Sequence, residues 1–161
     1  MKYSLRSSFA RWVLLLFFVV LALTIVGRAV VVTGAIAYCE GFPFCVPSHP
    51  LGWLKQAHIM LVGVASVLMF VVLRQAWREQ RNQTVILPLT TILGVMFFGQ
   101  VLGGAMQVTL AYPPHLVFLH TVTTIALWVS LLLLVYTSGI LAVDNKTVDD
   151  LDKRQRVKDF L

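Results

Sequence analysis

Acidic residues are scarce in this chain. It has seven Asp and Glu in 161 residues, and only Glu40 and Glu79 precede Asp144. Charged residues of both signs make up 12%, about half the ~25% share of an ordinary soluble domain. That shortage excludes a surface solvated in the usual way. With only two cysteines, neither a disulfide-dense scaffold nor a closed structural zinc site built from thiolates can form. The chain has no glycine-rich nucleotide loop, no metalloprotease motif and no serine-triad signal, so the commonest nucleotide and hydrolase chemistries drop out. Short alternating strands are also missing, which excludes a transmembrane barrel.

In their place are long apolar runs. Hydrophobic residues reach 58% and the mean hydropathy is +0.84. Four runs, at about residues 12–37, 53–73, 85–108 and 115–143, meet the requirement of roughly 20 apolar residues for a helix crossing a bilayer core. Helices satisfy their own backbone hydrogen bonds in lipid. The expected fold is therefore an all-α integral membrane protein, a four-transmembrane-helix bundle over residues 1–143 followed by a charged tail at 144–161. A secretory signal peptide is the rival reading of the first run. The run is too long for one, and Arg28 interrupts its end.

The net charge of +6 is topological and calls for no nucleic acid. Lys2, Arg6 and Arg11 precede the first run, Arg74, Arg78 and Arg81 follow the second, and five more basic residues fall after Asp144. Between runs one and two, and between three and four, only Lys55 is basic. By the positive-inside bias, both termini and the loop after Arg74 are cytoplasmic, in a multi-pass protein of the cell membrane. Some attraction to anionic lipid follows from the same residues.

The chemistry concentrates between Thr33 and His58. The loop carries Gly41, Pro43, Pro47 and Pro50, which preclude a regular helix. Cys39 and Cys45 share it on the oxidising side, so a structural disulfide is the default reading and a reactive thiol pair the alternative. Further on, His58 and His120 fall at similar depth on helices running in the same direction, the arrangement that bis-imidazole ligation of a haem iron requires. His49 and His115 lie nearer water, as surface groups or contacts to polar ligand edges. Arg28 reads equally as a snorkelling side chain or as the counter-charge of an anionic ligand group. Gln100 and Gln107 are expected to hydrogen-bond another helix or to line a pocket, and Gly99-x-x-x-Gly103 permits close helix approach.

These residues resemble the haem A synthase family of cytochrome oxidase assembly factors. Members carry a segment like V-R-L-T-G-S-G-L-x-C-P-D-W-P-L-C after their first helix. The stretch Val30 to Cys45 shares its Thr33-Gly34, the spacing of Cys39 and Cys45, and the aromatic–proline pair Phe42-Pro43. The run from Gln100 through Gly103-Gly104 to Ala105, and Leu119-His120, look like the family's third and fourth helices. The resemblance covers most of residues 12–136, one four-helix half of members built from two such halves. It implies a haem-binding bundle (haem b, or haem O or A) with His58 and His120 on the iron and Arg28 and Lys55 contacting propionates. The implied reaction is oxidation of the haem O methyl group to a formyl group. Implied partners are membrane lipid, a second copy forming a homodimer, and haem O synthase or other oxidase assembly components.

Two departures stand out. Lys55 occupies the position of the family glutamate three residues before the second-helix histidine, and Val31 that of its arginine. Arg28, one turn from Val31 on the same face, can substitute for that arginine, and Glu40 can meet Lys55 as a displaced charge pair. The competing functions are a non-catalytic haem-binding or electron-transfer subunit of a respiratory complex, and a structural membrane subunit whose histidines only bridge helices.

Overall fold

The computed structural model describes residues 8–39, 41, 43–110 and 112–138. The residues 1–7, Glu40, Phe42 and the expected tail at 144–161 lie outside the described residues. Four helices follow one another: α1 (Ser8–Val32), α2 (Gly52–Glu79), α3 (Ile86–Thr109) and α4 (Pro114–Thr137), with a short 3-10 turn at Ala35–Tyr38. At 1.5 Å per residue each helix is about 36–42 Å long. All four are long and apolar enough to cross a membrane.

Local chemistry sets the ends. α1 stops earlier than its apolar run suggests, because Gly34 takes a left-handed conformation at φ 65°, the usual helix-stopping geometry. α2 runs past Leu73 through Arg74 and Arg78 to Glu79, since charge ends a membrane core without ending a helix. α4 opens on Pro114 at its first position, where a missing N–H costs nothing. Pro113 before it is extended at φ −62°, ψ 135°, as a following proline requires.

Each helix packs against its chain neighbours, and α4 returns to α1; among the described residues α2 and α4 do not touch, nor do α1 and α3. The cross-section is thus a ring in which α2 faces α4 diagonally. Large apolar side chains such as Phe18, Phe70, Val95, Phe118 and Ile125 point outward, as expected where lipid is the solvent. Hydroxyls in the spans bond back to carbonyls one turn earlier, as Thr24 does to Val20 (2.8 Å), Ser66 to Val62 (2.8 Å) and Thr90 to Ile86 (2.7 Å). Among the described residues no such group is left facing hydrocarbon unpaired.

The main apolar cluster is confined to one end, with Val30, Ala35 and Cys39 buried outside it. Its buried members are Phe9, Val13, Leu16 and Val20 of α1, Ala65 to Ala76 of α2, Ile86, Leu93 and Phe97 of α3, and Leu127 to Val135 of α4. That is the end where α1 and α3 begin and α2 and α4 finish. Its upper rim is Trp128, edge-on to Phe17 at 5.6 Å, with its indole N–H on Thr24 Oγ1 at 3.3 Å. Beyond this rim no side chain of the buried cluster is found.

Leu131 is fully buried at the centre of this core. Leu131→Ala is expected to cost about 2–5 kcal/mol, the usual range for a buried leucine truncated with incomplete collapse. Equilibrium unfolding in mixed micelles measures it, and a loss below ~1 kcal/mol contradicts the packing described.

Candidate functional site

Beyond the core, the other half of the bundle holds His58 and His120. Each lies six residues after the first residue of its helix, Gly52 and Pro114 respectively. Both are therefore about 9 Å in from the same end, on diagonally opposed helices. The two imidazoles interact electrostatically across the bundle.

Each ring is seated on a neighbouring helix at glycine. A Cβ at Gly27 of α1 would stand 2.8 Å from His58 Cε1 and 3.1 Å from its Nδ1, closer than packed atoms allow. Only glycine lets the ring lie there. His120 lies over α3, where a Cβ at Gly103 would be 3.8 Å from Nδ1 and one at Gly104 3.6 Å from Cε1. The His58 ring also faces the Leu23 carbonyl of α1. In both rings Nδ1 is buried and has no hydrogen-bond partner. Buried polar atoms are rarely left this way, because an unmade bond costs about 1–3 kcal/mol. Two such nitrogens lie at one level of the bundle, each beside a glycine of a neighbouring helix.

Gln100 supports His120 from α3. Its amide nitrogen reaches the His120 carbonyl at 3.0 Å, Thr123 Oγ1 at 2.7 Å and Thr124 Oγ1 at 3.0 Å. Two N–H groups serve three acceptors, while Oε1 is buried without a partner. Nearer the end, Gln107 donates to the Leu116 carbonyl at 3.3 Å. Both glutamines thus bridge α3 to α4, one of the two roles expected of them. Arg28 is exposed, one turn beyond Thr24 on the α1 face that meets Trp128 of α4.

The cysteine loop joins α1 to α2. Cys39 and Cys45 are at disulfide distance, with Cα atoms 5.4 Å apart. Lys55, expected at a propionate, is only 6% exposed, and its ammonium donates to the carbonyls of Cys39 (2.5 Å) and Gly41 (3.0 Å). Both carbonyls belong to the ring that the cysteine pair closes. A buried cation on dipoles is tolerated only when well bonded, so the contact ties the loop to α2 one turn from His58. Elsewhere Ser48 donates twice to the Tyr38 carbonyl, from N–H at 2.9 Å and Oγ at 3.1 Å. His49 stacks on Tyr38 with ring centroids 4.7 Å apart and accepts the Leu51 N–H at Nδ1, 3.2 Å away. It is a loop-folding residue, and His115 is exposed on the first turn of α4.

Sequence reasoning missed Gly27, Leu23, Thr123 and Thr124. A glycine beside an intramembrane arginine was the one available signal for Gly27. The threonines gave none, since hydroxyls that bond back into their own helix are ordinary in such spans.

Lys55→Met keeps the length of the side chain and removes the donors. Loop amides such as that of Ser48 should then exchange hydrogen about tenfold faster or more, by loss of two charge-assisted bonds. Hydrogen-exchange mass spectrometry reads this, and unchanged protection removes Lys55 from its anchoring role. Comparison with protein-family models, curated proteins and solved structures finds no match to this chain.

Proposed function

We propose that this is a multi-pass membrane protein that binds haem at the histidine end of the bundle, with His58 and His120 as axial ligands. One observation carries the reading: two imidazoles at the same level on opposed helices, outside the main apolar cluster, each with a buried nitrogen lacking a partner. Among the described residues no three His, Cys, Asp or Glu side chains gather for a metal ion. A porphyrin brings its own equatorial nitrogens and needs only two axial donors. The residues therefore fit the group.

Each part of the chain has a task in this reading. The Leu23 carbonyl fixes the orientation of the His58 imidazole, as the outer partner of a ligating histidine commonly does. Gln100 holds the backbone of α4 at His120. Arg28 offers the counter-charge for an anionic edge of the ligand, and the loop tied by Lys55 covers the end and excludes water. When bound, haem supplies a redox-active iron whose potential follows its ligands and burial. The resemblance to haem A synthases adds a reaction, oxidation of the haem O methyl group to a formyl group. Lys55, in the position of the family glutamate, is buried and bonded to loop carbonyls. It presents no carboxylate to a substrate, which favours the haem-binding or electron-transfer role over oxidation. The basic residues orient the bundle with both termini in the cytoplasm, so the histidines lie toward the outer face.

Purified protein is expected to show a six-coordinate haem spectrum. His58→Ala and His120→Ala should each lower haem content or change the spin state, with His49→Ala near wild type. Unchanged spectra in both single variants overturn the ligand assignment. Chromatography of the extracted haem after co-expression with a haem O source separates the two roles, because only oxidation yields haem A. For the orientation, a reporter fused after Leu161 should be active only in its cytoplasmic form, and an external signal reverses the topology.

A further inference from the structure

At the opposite end from the histidines, the last turns of α2 form a cleft of about 430 Å3 lined by Val71, Arg74, Gln75, Arg78 and Glu79. All five residues belong to α2, so this is an open groove on the helix surface, and none of them takes part in the site above. We propose that this cleft binds the headgroup of a membrane phospholipid that carries both a phosphodiester and a primary ammonium, the phosphoethanolamine class.

The order of groups along the helix matches the order of groups in such a lipid. Val71 lies in the last apolar turn of α2. Arg74 and Arg78 follow at three and seven residues, about 4.5 and 10.5 Å farther along the axis. They are one turn apart and so share a face. Glu79 lies beyond them. Trp77, 55% exposed beside them, is the residue type that settles at headgroup level. Among the described residues neither guanidinium has an ion-pair or hydrogen-bond partner, and Glu79 has none either. Two guanidiniums offer paired donors to phosphate oxygens. A phosphate alone leaves the rest of the cleft unused. Glu79, one residue beyond Arg78, supplies a carboxylate, and a primary ammonium has the N–H donors that this acceptor lacks. A choline headgroup has the same charges and no N–H, and a glycerol headgroup leaves Glu79 uncompensated.

Native mass spectrometry of the full chain, delipidated in detergent, tests the assignment. The added probes are phosphatidylethanolamine, phosphatidylcholine, phosphatidylglycerol and soluble phosphoethanolamine. Phosphatidylethanolamine should be retained at least about tenfold better than the other three. Arg74→Gln with Arg78→Gln should weaken its retention by about tenfold or more, from loss of two headgroup-level cations, with helix content unchanged since both side chains are exposed. Glu79→Gln should erase the preference over phosphatidylglycerol and leave binding of the phosphate. Equal retention of choline and ethanolamine lipids overturns the proposal, and so does stronger retention of phosphatidylglycerol by the wild type. Equal binding of soluble phosphoethanolamine assigns the cleft to a free metabolite and overturns the lipid. Insensitivity to the double arginine variant reduces the two arginines to compensation of the α2 C-terminal dipole.

Discussion

In a hydrocarbon medium a polar group must find its partner within the protein, and this constraint organises the molecule. It dictates helices in the four apolar runs, because only a helix pairs its backbone inside a single segment. It turns Thr24, Ser66, Thr90 and Ser130 back onto carbonyls of their own helices. The same constraint accounts for the Lys55 ammonium, inserted among carbonyls of the cysteine loop rather than left against apolar side chains. Among the described residues four buried polar side-chain atoms lack partners, and two of them are the nitrogens at His58 and His120.

Packing divides the bundle along its length. Bulky side chains fill the end near Phe9 and Leu131, while glycines at 27, 103 and 104 flank the histidines at the other. Trp128 against Phe17 and Thr24 ties α4 to α1 at the edge of the filled end. Near the other end Lys55 anchors the cysteine loop to the start of α2.

Much of this was legible in the residues. Run length and the absence of charge reveal four spans because the cost of burying charge in lipid is large and local, needing no knowledge of neighbours. The matched depths of His58 and His120 follow from helical rise and from alternating direction. Helix ends were less legible. α1 stops at Gly34 and α2 continues through Arg78, since backbone conformation and side-chain polarity set different boundaries. The surroundings of Lys55 were not legible for a related reason: its position beside His58 says nothing of which loop carbonyls fold back to meet it.

Composition and periodicity by themselves determined the class of the protein, the number of spans and the level at which its histidines lie, because each depends on the chain's own rise and on transfer into lipid. Tertiary structure alone decided that α2 and α4 are diagonal, that Gly27 receives the His58 ring, that Gln100 rather than a loop residue supports His120, and that the main apolar cluster occupies one end only. Those outcomes depend on how the helices are rotated and paired, which arises from the fit of all four surfaces together and is written in no single segment.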